Sequence, residues 1–220
     1  MNYTFFNRRA VNIDLTHRCA IECPNCPRQF AFRDKGLKVP GQDLSDSNFE
    51  KILDHMTTID FEGQYSDPVH HPKFIEFLEK SYVKKIDVEV HNASSVKSLK
   101  WYIKAFKAHP FARWKFAIDG LPKDSHKYRI NQDGEKLFNV MKESVNYLKV
   151  KPTWQYIVFK YNQNDIDYAS LLADSIDVDF YTLISSRWRG PNDPYKPTRK
   201  KYILDKGRGP LAFQKDFLWQ

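Results

Sequence analysis

Cysteine is scarce in this sequence of 220 residues: it has 3, and all of them lie between Cys19 and Cys26. An odd number of cysteines in one short segment excludes a disulfide-stapled secreted scaffold and favours thiols kept reduced for metal or redox use. The sequence also lacks any apolar run near the roughly 20 residues that a membrane-spanning helix needs, and its first residues lack a signal-peptide core. These absences predict a soluble, cytoplasmic protein that does not associate with a membrane.

Apolar and basic residues, by contrast, are abundant. Hydrophobic residues make up 41% of the chain and aromatic residues 15%, which suffices for a packed core and excludes wholesale disorder. Lysine and arginine number 35 against 27 acidic residues, and the formal net charge is +8. Because basic residues and prolines concentrate near the C-terminus, we expect a core over residues 1–189 and a basic, proline-containing tail over 190–220. This tail is expected either to be solvated or to bind an anionic partner such as nucleic acid.

Segments of alternating apolar residues take turns with segments of helical spacing along the chain. Strands are predicted at residues 10–16, 59–63, 85–90, 114–118, 153–159 and 178–183. Helices are predicted around residues 49–56, 74–78, 96–106, 137–148 and 166–173. This alternation predicts an α/β fold, a partial (β/α)6 barrel of parallel strands with helices outside.

Ligands of such folds bind at the carboxyl ends of the strands, in the loops that follow. The reactive and polar residues of this chain obey that rule, since they lie in segments 19–26, 63–68, 91–95 and 119–120, after the first four predicted strands. The sequence therefore predicts a ligand site at that edge of the sheet.

Cys19, Cys23 and Cys26 form the pattern CxxxCxxC directly after the first predicted strand. We expect Pro24 and Pro27 to keep this loop from forming a helix. Three thiolates suit either a zinc ion with a fourth ligand or a [4Fe–4S] cluster with one open iron. A fourth cysteine is absent, and the histidines that could complete a zinc site lack zinc-finger spacing; these are His17, His70, His71 and His91. The polar loops beside the cysteines therefore favour the cluster.

Three segments resemble the radical S-adenosylmethionine (radical SAM) enzyme superfamily, in a short form without a cysteine-rich extension for auxiliary clusters. The first is the cysteine loop. The second, Phe61-Glu62-Gly63-Gln64-Tyr65-Ser66-Asp67-Pro68, is similar to the glycine-rich turn of that family in the version that ends Asp-Pro. The third, Phe116-Ala117-Ile118-Asp119-Gly120, is similar to its fourth-strand block.

The resemblance implies that Cys19, Cys23 and Cys26 hold a [4Fe–4S] cluster whose open iron binds S-adenosyl-L-methionine. It also assigns cofactor contacts to Gly63, Gln64, Tyr65, Ser66, Asp67, Pro68, Asn92, Asp119 and Arg129. Asp67 would receive the methionine amino group, and the guanidinium of Arg129 would pair with the methionine carboxylate. The family usually has an aromatic residue that helps to hold adenine where this chain has Asn25, and a serine where it has Ala117.

The implied activity is reductive cleavage of S-adenosylmethionine to a 5′-deoxyadenosyl radical, which abstracts hydrogen from an unidentified substrate. A peptide or protein side chain is the preferred substrate class because of the Asp-Pro turn, and a nucleotide or nucleic acid is second because of the basic tail. The implied partner is a one-electron reductant such as a flavodoxin or ferredoxin. No catalytic residue is assigned, and Tyr65, Tyr128 and Tyr156 are considered as hydrogen donors. The alternative is a non-catalytic zinc-bound module that uses its basic surface to bind an anionic partner.

Overall fold

Six strands form one parallel sheet in the computed structural model, which describes residues 9–39 and 41–203. The strands are β1 (Ala10–Ile13), β2 (Thr58–Phe61), β3 (Asp87–Asn92), β4 (Arg113–Ala117), β5 (Thr153–Val158) and β6 (Asp179–Ile184). They lie side by side in the order of the sequence, and each neighbouring pair is parallel. The sheet is unclosed, with β1 and β6 at its edges, and this confirms the predicted partial barrel.

Six α-helices accompany the strands of the described part of the chain. They are α1 (Pro27–Ala31), α2 (Asp46–His55), α3 (Phe74–Val83), α4 (Leu99–Ala108), α5 (Gly134–Ser144) and α6 (Ile166–Asp174). Side chains cap the amino ends of three of them: Ser45, Ser98 and Asp133 each accept a hydrogen bond from the backbone N–H three residues later. Such caps satisfy one of the free N–H groups in the first turn of a helix. None of these helices is long and apolar enough to cross a membrane.

The hydrophobic core lies between the sheet and the helices. Phe61 of β2 is fully buried, and its ring lies 6.1 Å from that of Phe49 in α2 and 5.8 Å from that of Phe74 in α3. Because successive side chains of a strand point to opposite faces, the other residues of each strand line the inner face of the partial barrel. That face is open to solvent in part and carries the polar side chains of Asn12, Asp60, Glu89, His91, Arg113, Lys115 and Gln155.

The cysteine loop over residues 19–26 contains no helix, as predicted, and α1 begins directly after it at Pro27, because proline lacks only an N–H that the first helical position leaves free in any case. One local prediction is wrong. Val96 does not belong to the predicted helix over 96–106, because Ser98 caps α4 and leaves Val96 outside it, 46% exposed. The helical spacing of apolar residues continues through Ser98, because such spacing does not indicate the residue at which a helix begins.

The chain returns to the barrel after β6. The backbone N–H of Lys160 donates to the carbonyl oxygen of Tyr195 at 2.9 Å. The side chain of Gln163 donates to Thr198 Oγ1 at 2.8 Å and accepts from the Thr198 N–H at 3.0 Å. The described part of the predicted tail, 190–203, therefore packs on the loop after β5, while 204–220 lies outside the described residues.

Candidate functional site

The cysteine loop follows β1 at the carboxyl edge of the sheet, as predicted. Its three thiols are free of disulfides and partly exposed. The buried guanidinium of Arg28 braces the first half of the loop by donating to the carbonyl oxygens of Cys19 at 3.1 Å and Ile21 at 2.7 Å. In the second half, the N–H of Cys26 donates to the carbonyl of Cys23 at 3.1 Å. The loop thus has two separately supported halves.

Burial raises the pKa of Cys19 to about 12 and that of Cys23 to about 11, because a thiolate is poorly solvated at these positions. The positive charge of Arg129 opposes this rise at Cys23. A bound cation would favour the thiolates, which are the forms that ligate metals.

As the side chains stand, no group of three or more His, Cys, Asp or Glu residues within the described ranges could hold a metal ion. The donor set nevertheless fits an iron–sulfur cluster in its chemistry, since three unpaired thiols share one short loop. Three of the four histidines that could complete a Cys₃His zinc site have other partners, whereas His17 Nδ1 is buried without a hydrogen-bond partner among the described residues. His70 Nε2 bonds to Ser94 Oγ at 2.9 Å, His71 Nε2 to the Leu44 carbonyl at 3.0 Å, and His91 Nε2 to Glu89 at 2.7 Å.

The turn after β2, residues 63–68, lies beside the cysteine loop and is held by Asp14, which follows β1. The Asp14 carboxylate accepts from the Tyr65 N–H at 3.1 Å and from the Ser66 hydroxyl at 2.8 Å. A Cβ atom on Gly63 would lie only 2.5 Å from the Ser66 carbonyl oxygen, so the turn requires glycine there. Tyr65 is 42% exposed. The carboxyl ends of β1 and β2 therefore form one connected surface.

Asp67 lies inside the fold rather than at the surface of this turn. Its carboxylate accepts from the backbone N–H groups of Ala93 and Ser94, both at 2.7 Å, and of Val69 at 3.2 Å. Burial raises its pKa, and these hydrogen bonds oppose the rise. Asp67 thus ties the turn after β2 to the loop after β3, and Pro68 beside it begins a short, buried 3-10 helix over Pro68–His70.

Asn92, at the end of β3, is fully buried, and its side-chain amide bonds to the Tyr102 hydroxyl at 3.2 Å. Gln132 joins this strand end to the next one, since its amide donates to the carbonyl oxygens of Ala93 at 2.6 Å and Ala117 at 2.9 Å. Both contacts fix the loops around the site.

Asp119 and Arg129 form a buried ion pair after β4, with Arg129 Nε 2.7 Å from Asp119 Oδ2. Asp119 Oδ1 also accepts from the Ile157 N–H at 2.7 Å. Burial raises the pKa of Asp119 although Arg129 opposes the rise. Burial disfavours the charge of Arg129, but Asp119 keeps the Arg129 pKa above its usual range. The terminal nitrogens of Arg129 donate no hydrogen bond to any described residue, so they can take an anion near Cys23.

The tyrosines considered as hydrogen donors differ in position. Tyr156 is fully buried, and its hydroxyl donates to the Asn162 carbonyl at 2.7 Å. Tyr128 is buried against Phe159, at a ring distance of 4.0 Å. Among the three, only Tyr65 is exposed.

Sequence reasoning gave no role to the charged group on the inner face of the barrel. Glu89 of β3 accepts from His91 Nε2 at 2.7 Å and pairs with Lys115 and, at 3.4 Å, with Arg113. Although burial alone would raise it, the hydrogen bonds from His91 and Lys115 lower the pKa of Glu89 to about 2. Alternation within the strands predicts that these charges lie on one face, but it does not predict which of them form ion pairs.

Gln64 was predicted as a cofactor contact, and its side chain donates to Glu62 at 3.0 Å and accepts from Arg187 at 2.9 Å.

Solved structures share this architecture at low sequence identity. Methylornithine synthase PylB superposes with a TM-score of 0.61 at 12% identity, covering 90% of this chain and 59% of its own. SuiB from Streptococcus suis, bound to S-adenosylmethionine, gives 0.66 at 11%, covering 96% and 48%. The anSMEcpe structure with bound AdoMet gives 0.58 at 14%, covering 84% and 55%.

The chain spans about half to three fifths of the length of these three structures. No protein-family model matches it, and no curated protein matches its sequence. Identities this low relate the folds alone. The chain therefore has the partial-barrel fold of the radical SAM enzymes.

Proposed function

We propose that this chain is a radical SAM enzyme that binds one [4Fe–4S] cluster through Cys19, Cys23 and Cys26 and cleaves S-adenosylmethionine reductively. The proposal is supported by two features that lie close together on a fold of this type, the cysteine loop and Arg129. The free cysteine loop and the open end of the Arg129 guanidinium lie at the same carboxyl edge of the sheet, close enough for the charge of Arg129 to act on Cys23.

Each element of the edge has a part in this proposal. When bound, the cluster would supply the electron that cleaves S-adenosylmethionine and so provides a 5′-deoxyadenosyl radical. Arg129 offers its terminal nitrogens to the methionine carboxylate, and Asp119 holds the guanidinium in place. The turn over 63–68, held by Asp14, presents backbone carbonyls to the methionine amino group, with Asp67 as its brace.

For the substrate, we propose a peptide or protein side chain, and a nucleotide or nucleic acid as the second class. The inner face of the barrel supports a polar substrate, since it carries Glu89, His91 and Lys115 in a partly open network. Among the structures that share the fold is SuiB bound to its precursor peptide SuiA, at 12% identity and a TM-score of 0.64. Hydrogen abstraction would then take place over this face.

A one-electron reductant such as a flavodoxin or ferredoxin is the proposed protein partner. Cys19 lines a surface hollow of about 290 Å³ together with Arg18 and Arg28. Cationic side chains around a cluster ligand suit an acidic electron donor, whose approach they would steer.

The test is anaerobic reconstitution of the full chain with iron and sulfide. We expect a brown protein with the visible absorption of an iron–sulfur cluster, which releases 5′-deoxyadenosine when reduced in the presence of S-adenosylmethionine. Cys23→Ala should abolish both, while Lys142→Ala, on the exposed side of α5, should retain both. A colourless protein that holds one zinc ion tightly would instead support the alternative, a non-catalytic module that binds an anionic partner.

A further inference from the structure

Asn25 lies between Cys23 and Cys26, and it is 1% exposed. Both ends of its side-chain amide are engaged by residues that follow β6. Nδ2 donates to Asp193 Oδ2 at 2.9 Å, and Oδ1 accepts from Arg189 Nε at 3.2 Å. The amide thus contacts a segment about 165 residues later in the chain.

Arg189 also contacts the cysteine loop and the residues after it through other atoms of its guanidinium. Its Nη2 donates to the Pro24 carbonyl at 2.9 Å and lies 3.2 Å from Asp34 Oδ2. Its guanidinium carbon lies 4.4 Å from the centre of the Phe30 ring. One side chain therefore contacts the cysteine loop and α1, which follows it.

Asp193 arranges its own segment for these contacts. Its carboxylate accepts from the N–H groups of Arg189 at 2.8 Å and Tyr195 at 2.9 Å, and only 9% of the residue is exposed. Gly190, at φ +126°, supplies the backbone turn between them. Tyr195 anchors the segment on the barrel, with its ring 5.1 Å from that of Tyr128.

We propose that residues 187–195, here named the clasp, position the second half of the cysteine loop through Asn25, Arg189 and Asp193. The clasp joins the chain after β6 to the loop after β1, across the open side of the unclosed sheet. A loop held in one conformation before it binds a ligand loses less conformational entropy on binding. Arg28 holds the first half of the loop at the Cys19 carbonyl, and the clasp holds Pro24 and Asn25, which lie between Cys23 and Cys26. The purpose assigned to the clasp rests on the proposed function, but its existence does not.

The test measures thiol alkylation in the reduced, metal-free full chain, with each cysteine followed separately by mass spectrometry. We expect Arg189→Ala and Asp193→Ala to raise the alkylation rates of Cys23 and Cys26 roughly tenfold, which corresponds to about 1.4 kcal/mol. Cys19 serves as the internal reference, because its loop half is braced by Arg28, and its rate should not change. Arg199→Ala, an exposed cation outside the clasp, is the matched control and should leave all three rates unchanged.

Asp193→Asn keeps the shape of the side chain and serves if the alanine variants do not fold. It should accelerate Cys23 and Cys26 to a smaller extent, and in reconstituted protein it should alter the electron paramagnetic resonance spectrum of the reduced cluster. Unchanged rates at Cys23 and Cys26, or equal acceleration at all three cysteines, would overturn the proposal. If the wild-type chain takes up no cluster, the proposed function fails, while the alkylation pattern still decides whether the clasp exists.

Discussion

Arg129 Nε lies 2.7 Å from Asp119 Oδ2, and both side chains are buried beside the loop that carries Cys23. The two residues follow the same strand, β4, and the loop between them includes a 3-10 helix over Pro122–Lys127. The pair places a buried cation at this edge, where it can bind an anion.

Arg129→Ala should lower the free energy of unfolding by about 3 kcal/mol, because it leaves the Asp119 carboxylate buried without its cation. The double variant Arg129→Ala/Asp119→Asn should recover part of that loss, since the uncompensated charge is gone. Chemical denaturation measures both. Lys127→Ala is the control, because its ion pair with Asp124, at 2.8 Å, is solvent-exposed and should contribute less than about 1 kcal/mol. A double variant no more stable than the single one would show that the charge of Asp119 is not the cause.

Gly63→Ala should destabilise the turn after β2, because the new Cβ would lie 2.5 Å from the Ser66 carbonyl oxygen. We expect a loss of about 1–3 kcal/mol in the free energy of unfolding, the usual cost of forced overpacking. In reconstituted protein, S-adenosylmethionine should also bind more weakly, as equilibrium dialysis would show. Gly41→Ala is the matched control, since its Cβ would meet only Arg18 Nε at an ordinary 3.6 Å. Equal stability of the two variants would contradict the close approach at Gly63.

Glu89→Gln should lower stability at neutral pH and much less in acid. The folded state holds the pKa of Glu89 at about 2, below its ordinary value of 4.5. The charged form therefore stabilises the fold above pH 4.5, and this contribution is lost as the pH falls from there towards 2. Because the network is partly open to solvent, we expect a difference of about 1–2 kcal/mol at pH 7. Denaturation of both proteins across this pH range measures it, and a difference that does not shrink in acid would contradict the assignment.

The strands were predictable because alternating burial leaves a local signature. All six predicted strands exist, and their ends shift by at most three residues. β1 shows why: it ends at Ile13, because Asp14 turns to hold the loop after β2 and Thr16 pairs with Asp43. Such side-chain contacts join segments far apart in sequence, so a local sequence pattern cannot predict them.

The candidate site likewise has features that the sequence predicts and features that it does not. The spacing of the cysteines and the resemblance of residues 63–68 and 116–120 predict a site at the carboxyl edge of the sheet. They did not indicate which polar groups face a ligand. Asp67 resembles a cofactor contact, and the fold engages its carboxylate with three backbone N–H groups. In the sequence, Asn25 is only a departure from the family pattern, and the structure gives it Asp193 and Arg189 as partners.

By itself, the sequence determined the order of strands and helices, the parallel sheet and the loop in which three thiols gather, because these follow from periodicity and spacing along the chain. Only the tertiary structure decided that Asp193 holds Asn25 and that Asp14 holds the turn after β2. Those contacts depend on the curvature of an unclosed sheet, which brings the chain after its last strand back to the loop after its first.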